Sequence, residues 1–360
     1  MKSIEKRSSS LKFEVVLLNI QGYHKIKTKG AIEHMQKKRC SYTEDTPYGV
    51  KTVYLENDLL RVGILPEKGA DIFEFFYKQV PTEFMMRTGE GLKAFEGRDF
   101  KHYPLKHYAE IYIGGWQDIL PNRAQWDHGS VGQTEEGESV GISWDYEVIV
   151  EEDKSVCLWC CAQLPNTPFL VEKRIELRDG AAAFTIKEQV TNVGTDTVRF
   201  TWTHHPAFGG DFLDERVEVM LPPCKAFNVG RYEADREKGL GAFEEEVESV
   251  TLPSGRKYNL LKVNPRGEGE GCYITLKDLE VPMAGLYNPD KSLGVQLEWD
   301  KKAFPYLRYW SCNTEKIYTV ALEPSSSYFS HMDDSIRHNA FLSLGVGERL
   351  ETWIKCSVVI

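Results

Sequence analysis

One stretch of the sequence decides the fold class: VEKRIELRDGAAAFTIKEQV, residues 171–190. Its apolar residues keep one parity on each side of the pair Asp179-Gly180, in the order Val171, Ile175, Leu177 and then Phe184, Ile186, Val190. A period of two is typical of a strand with one buried face. Asp-Gly between two such strands is a strong hairpin signal. The stretch therefore predicts an antiparallel hairpin with one face on a core.

The same alternation recurs along most of the chain after residue 45. It is visible in these groups: Leu60/Val62/Ile64, Phe73/Phe75, Trp144/Tyr146/Val148/Val150, Val198/Phe200/Trp202, Val295/Leu297, Tyr318/Val320 and Trp353/Lys355. Helical patterning is limited to Glu233–Leu240 and Asp333–Ala340. Turn signals about 8–15 residues apart, with no longer internal repeat, favour a sandwich of large antiparallel sheets over a propeller. We expect one all-β domain over residues 45–360.

The charge distribution sets the N-terminal segment apart. The chain has 360 residues, 44 Lys+Arg and 54 Asp+Glu, a net charge of −10. Residues 1–40 hold ten basic and three acidic residues, so the other 320 carry −17. We expect residues 1–44 to form a basic extension, with a nucleic-acid- or partner-binding arm as the alternative. The acidic remainder argues against nucleic acid as the main partner.

The composition also favours one cellular location and argues against a metal site. No run approaches the roughly 18 apolar residues that a membrane helix needs, and no signal-peptide core is recognisable, so we expect a cytoplasmic protein without a membrane partner. The segment CLWCC at residues 157–161 has no second Cys-x-x-Cys or spaced histidine pair, which predicts free thiols and no metal site. The segment GESVG at residues 137–141 matches a nucleophile elbow in letters, but a strand follows it where that motif needs a helix.

Three segments carry residues suited to chemistry on a sugar. Residues 201–209, TWTHHPAFG, end an alternating strand with two histidines, the side chains best suited to exchange a proton near neutral pH. Residues 318–327, YTVALEPSSS, end a strand with a carboxylate that the following proline holds in extended geometry. Residues 114–123, GGWQDILPNR, combine an indole with amides and an acid, as sugar recognition requires. Alternation puts His204 and His205 on opposite faces without deciding which one meets a ligand.

These segments, in this order, resemble the aldose 1-epimerase (galactose mutarotase-like) family. The resemblance includes Thr191-Asn-Val-Gly194 leading into His-Pro-x-Phe, the Leu322-Glu-Pro motif, and Leu65-Pro-Glu-Lys-Gly69 in the first strands. It spans roughly residues 45–360. It implies a β-supersandwich, a cleft for a small-molecule sugar, and no cofactor.

The resemblance also implies roles for individual residues. His205 corresponds to the family's general acid and Glu323 to its general base, in a reaction that interconverts the α and β anomers of a free hexose. Asn122 and Arg123 land on an Asn-Arg pair. The family's second histidine falls either on His128 or on Glu136, which would replace it. The remaining candidates for sugar contacts are Trp116, Gln117, Asp118, His204 and Trp310. The alternatives are a hexose-phosphate 1-epimerase and a non-catalytic carbohydrate-binding protein on the same fold.

Overall fold

The hairpin predicted from residues 171–190 is present. In the computed structural model, which describes residues 40–100, 112–126, 137–152 and 154–360, strands Phe169–Arg178 and Ala183–Asn192 pair antiparallel. Leu177 lies opposite Phe184, and both are buried. Gly180 in the turn has a φ of 63°, a left-handed conformation that glycine adopts without steric cost.

The larger sheet carries most of the strands that bear candidate site residues. Among the described residues it has thirteen strands: β1 (Ser41–Asp45), β2 (Thr52–Glu56), β3 (Leu60–Leu65), β4 (Asp71–Tyr77), β5 (Thr82–Glu83), β6 (Gly115–Trp126), β11 (Val198–Phe208), β13 (Lys225–Phe227), β14 (Glu244–Glu245), β17 (Cys272–Lys277), β20 (Tyr306–Asn313), β21 (Tyr318–Ser325) and β22 (Leu342–Leu344). The order is β1-β2-β3-β4-β6-β11-β21-β20-β17-β13-β14, with β5 on β4 and β22 on β11. Its centre, from β6 to β17, is antiparallel throughout.

A second sheet of eight described strands covers one face of the first. Its members are β7 (Asp145–Glu151), β8 (Ser155–Gln163), β9 (Phe169–Arg178), β10 (Ala183–Asn192), β12 (Glu218–Met220), β18 (Met283–Asn288), β19 (Leu293–Trp299) and β23 (Arg349–Val359), in the order β12-β18-β19-β23-β10-β9-β8-β7. Phe75 of the first sheet meets Phe184 of the second edge to face at 5.1 Å. Apolar side chains of both sheets form one continuous core between them.

The rest of the described chain is short hairpins and turns. A two-stranded hairpin joins β15 (Val250–Thr251) and β16 (Lys257–Tyr258). The α-helices are α1 (Val229–Ala234) and α2 (Met332–Arg337), and the 3-10 turns are Pro47–Gly49, Gly91–Phe95, Ser139–Gly141, Arg236–Lys238 and Leu240–Phe243. No helix in the described ranges is long and apolar enough to cross a membrane.

The architecture confirms the all-β fold of large antiparallel sheets. The described residues belong to one compact unit, and its first strand begins at Ser41. The first helix lies earlier than the pattern over Glu233–Leu240 predicts, because Asn228 caps it and accepts a hydrogen bond from the backbone of Arg231. The basic segment before residue 40, His128 and Glu136 lie outside the described residues.

Candidate active site

Five polar side chains form a row across the centre of the larger sheet, on the face turned away from the second sheet. On one side, His205 pairs with Gln117 of β6. On the other side it lies opposite Glu323 of β21, because the neighbouring pairs along these two strands are Thr203 with Ser325 and Ala207 with Ala321. Glu323 pairs with Arg308, which in turn pairs with Thr275 on β17. Cross-strand partners point to the same side of a sheet. We call this series, Gln117–His205–Glu323–Arg308–Thr275, the polar row.

His205 and Glu323 are in contact at the middle of the polar row. Nε2 of His205 lies 3.4 Å from Oε1 of Glu323, and the two residues are 7% and 3% exposed. Nδ1 of His205 is buried and has no hydrogen-bond partner among the described residues. The rings of Trp310 and Tyr112 lie 5.5 Å and 5.6 Å from the imidazole, centroid to centroid. The arrangement places one proton donor and one proton acceptor side by side under aromatic cover.

Arg308 adds a cation to the polar row that sequence reasoning did not single out. Its Nη2 donates to the carbonyl oxygen of Phe329 at 2.9 Å, while its Nε is buried without a hydrogen-bond partner in the described structure. A guanidinium N–H left unpaired in a buried position is costly, and an oxygen of a ligand would satisfy it. Leu307 and Tyr309 are buried in the core, so alternation along β20 puts Arg308 and Trp310 on the other face.

Asn122 and Arg123 lie further along β6, toward one end of the same strands. Arg123 pairs with Thr201, four residues from His205 along β11, which is about 13 Å of strand. Its Nη1 donates to the carbonyl oxygen of Asn122 at 2.7 Å, and both residues are buried. A direct role for Arg123 therefore requires a substrate that extends from His205 toward Thr201.

Trp116, Asp118 and His204 lie on the opposite face of the sheet. Asp118 and His204 are cross-strand partners, and they face the core because their neighbours Gln117 and His205 face outward. Trp116 donates from Nε1 to Nδ1 of His204 at 3.2 Å, inside the core. The structure thus does not bring these three side chains to the polar row, and Asp118 contacts His204 rather than His205. Tyr309, the neighbour of Trp310 on β20, is likewise buried in the core.

Instead, His204 and Asp118 belong to a buried ion cluster between the two sheets, completed by Lys173 of β9 and Glu188 of β10. The ammonium of Lys173 lies 2.8 Å from Asp118 and 3.2 Å from Glu188. Nε2 of His204 lies 2.9 Å from Glu188. Because Nδ1 of His204 accepts from Trp116, the ring proton is on Nε2, the nitrogen that faces Glu188. The four side chains are between 0% and 3% exposed.

Burial and charge act in opposition on this cluster. Burial is the largest single influence and would raise the pKa of Asp118, but Lys173, His204 and the hydrogen bonds of the cluster together outweigh it, so the net pKa is lowered. Burial would lower the pKa of Lys173, yet Asp118 and Glu188 raise it above its usual range. Burial and the charge of Asp118 together raise the pKa of Glu188. Asp118, Glu188 and His204 have donor atoms close enough to hold a metal, but Lys173 already supplies the cation there.

Two other motifs have structural explanations. Ser139 of the GESVG segment is buried, accepts from the backbone N–H of Leu120 and donates to the carbonyl oxygen of Asp118, in a 3-10 turn that β7 follows. In CLWCC, Cys157 and Cys160 lie on opposite sides of β8, since the first is half-buried and the second fully buried. All eight cysteines are free thiols.

Comparison with known proteins places this architecture in a class. It resembles a galactose mutarotase-like protein from Clostridium acetobutylicum with a TM-score of 0.64 at 15% identity, over 89% of this chain and 98% of that one. A galactose mutarotase-like protein from Lactobacillus casei gives 0.59 at 16% identity, over 85% and 99%. A galactose mutarotase related enzyme from Lactobacillus acidophilus gives 0.57 at 14% identity, over 86% and 97%. The fold is therefore galactose mutarotase-like, as the sequence motifs indicated.

The sequence itself identifies a narrower group. Residues 161–358, more than half of the chain, match the family described as Domain of unknown function (DUF4432), and the chain belongs to that family. No protein with a curated description matches it by sequence.

Proposed function

We propose that this protein is an aldose 1-epimerase that interconverts the α and β anomers of a reducing sugar, with Glu323 as base and His205 as acid. The observation that carries the proposal is the contact between these two side chains at the centre of the polar row. Anomer exchange needs one proton removed from O1 and one delivered to the ring oxygen. Because both oxygens are bonded to C1, the acid and the base must both come within hydrogen-bond reach of this one centre, and neighbouring side chains such as His205 and Glu323 can do so.

The proton steps balance within this pair. Glu323 takes the proton of the O1 hydroxyl, the bond between C1 and the ring oxygen breaks, and His205, as imidazolium, gives its proton to that oxygen. Rotation about C1–C2 then presents the other face of the aldehyde. On closure His205 takes the proton back and Glu323 returns its own to O1. Arg308 and Gln117, the neighbours in the polar row, would hold ring hydroxyls, and Trp310 would cover the apolar face of the sugar.

A free sugar fits the described cations better than a sugar phosphate does. A phosphate site would want a second basic side chain beside Arg123. Arg308 shares its face of the sheet, but it lies three strands from β6, about 14 Å at the usual strand spacing, and cannot converge with Arg123 on one phosphate.

Polarimetry of freshly dissolved α-D-glucose and α-D-galactose tests the proposal. The wild type should accelerate mutarotation, and Glu323→Gln, which keeps the shape but loses the base, should be slower by about 10²–10⁴-fold. Glu298→Gln, an exposed glutamate paired with Lys355 on the other sheet, is the matched control and should keep full activity. If the wild type binds these sugars without accelerating either one, the protein is a carbohydrate-binding member of the fold and the proposal fails.

A further inference from the structure

A cavity of about 680 Å³ is lined by Trp310, whose ring lies 5.5 Å from that of His205, centroid to centroid. Helix α1 forms one wall, the segment after β15 forms another, and strands β17 and β20 form the floor. Leu252, Pro253 and Ile274 contribute apolar surface, while Asn228 and Thr251 add polar groups at the edge. Concave sites that bind organic ligands usually measure roughly 300–1,000 Å³ and are mostly apolar with a few polar groups.

Trp310 and Tyr273 connect this cavity to the candidate active site. They are cross-strand partners on the face that carries the polar row, and both line the cavity. Trp310 also packs against the His205 ring, so one indole borders both spaces.

We propose that the cavity is a subsite for a second sugar residue, so that the preferred substrate is a reducing disaccharide or longer oligosaccharide. This inference rests on the proposed function and names its substrate class. Tyr273 and Trp310 offer aromatic surface next to the acid–base pair, and the apolar face of a pyranose stacks on such surface. The reducing ring would lie over His205 and Glu323, and the next ring would lie beyond Trp310. Continuity through one shared indole favours a single substrate over an unrelated ligand.

Helix α1 offers a way to close the cavity without disturbing the fold. Gly230 and Ala234 both line it, and they lie on one face of the helix because they are four residues apart. A Cβ added at Gly230 would have no neighbour within 4 Å. Replacing a helical glycine also favours the helix. Gly230→Phe should therefore fill the subsite while the rest of the protein stays unchanged, and Ala234→Phe is a second variant of the same design.

The test compares kcat/KM for mutarotation of maltose, cellobiose and lactose with that of glucose, the reducing unit of all three. For the wild type, at least one disaccharide should exceed glucose by about tenfold, the usual gain from one added apolar contact region. Gly230→Phe should abolish that advantage and leave glucose unchanged. Gly241→Phe is the matched control, because Gly241 is exposed, has open space around it and does not line the cavity. It should change neither substrate.

The outcomes separate the subsite from the catalytic proposal. The subsite alone would be overturned if the wild type accelerates glucose but prefers no disaccharide. It would also be overturned if Gly230→Phe lowers kcat/KM equally for glucose and for the disaccharide. If no sugar is accelerated, the catalytic proposal fails, and calorimetric binding of maltose, cellobiose and lactose then decides the subsite. Tighter binding than glucose that Gly230→Phe removes would support it, and equal binding would refute it.

Discussion

Removing the cation from the buried ion cluster should destabilise the protein strongly. In Lys173→Met, a side chain of similar length leaves Asp118 and Glu188 buried between the sheets without their ammonium partner. The two carboxyl groups then keep His204 and the indole N–H of Trp202, which donates to Asp118, as polar neighbours but have no cation. Breaking a buried ion pair from one side costs about 3–5 kcal/mol, because an uncompensated charge is left in a medium that solvates it poorly. For a domain of this size, that corresponds to a fall in Tm of about 4–7 °C.

The pH dependence gives the same experiment a second readout. In the wild type, the lowered pKa of Asp118 contributes stability above the ordinary value of 3.8, and this contribution is lost as pH falls through the folded-state pKa. In Lys173→Met the opposing charge is gone, so burial raises the pKa of both carboxyl groups. The deficit relative to the wild type should be largest near neutral pH and shrink as pH falls toward about 4, because the raised pKa values let the variant's buried carboxyl groups bind protons in the folded state and lose their charge.

Chemical denaturation followed by tryptophan fluorescence measures the deficit at each pH. Lys187→Met is the matched control: Lys187 is on the neighbouring strand, its side chain is 58% exposed, and it lies 3.8 Å from Glu176. Its loss should cost at most about 0.5 kcal/mol. Adding Glu188→Gln to Lys173→Met should recover part of the lost stability, because one buried charge is removed. A deficit below about 1 kcal/mol for Lys173→Met, or one independent of pH, would refute the reasoning.

Three further predictions follow from the polar row and its surroundings. His205→Asn should lower kcat by about 10²–10⁴-fold and leave Tm unchanged. A fall in Tm as large as that of a core variant would show that His205 supports the fold rather than the reaction. Arg308→Met should lower kcat/KM by about ten- to a hundredfold, mainly by raising KM. Polarimetry over a range of sugar concentrations measures both constants. A KM equal to that of the wild type would exclude a contact between Arg308 and the substrate. Gly114→Ala should destabilise the protein by more than about 2 kcal/mol, since Gly114 has a φ of 88° and a Cβ would lie 2.1 Å from the carbonyl oxygen of Met86; an unchanged denaturation midpoint would contradict this.

The fold was accessible from the sequence because the strands of the second sheet are buried on one face only. Strand β9 alternates buried and partly exposed residues along its length, and the period of two records that asymmetry directly. The central strands of the larger sheet are different. Strand β11 is buried at almost every position from Phe200 to Phe208, so alternation along it carries no information about which face meets the core. That is why the sequence could not choose between His204 and His205.

The contacts of the candidate site residues were harder to predict from the sequence than the fold. Asp118 looked like a ligand-binding acid because it follows glycines and an indole. Its actual cation, Lys173, comes from the other sheet, and only the packing of the two sheets reveals it. Arg308 was hidden for a different reason: it becomes notable only once β20 is known to lie beside the strand that carries Glu323.

The adjacency of His204 and His205 also limits how this protein can change over evolutionary time. Strands β6 and β11 carry Gln117 and His205 of the polar row on one face and half of the buried ion cluster, Asp118 and His204, on the other. Deleting one residue from either strand would exchange the two faces, turning His204 or Asp118 outward and leaving Lys173 and Glu188 buried without partners. Substitution of individual side chains in the polar row leaves the sheet intact, whereas insertions and deletions in these strands do not. Descendants of this sequence can therefore acquire new chemistry at the site residue by residue, but only within strands of fixed length.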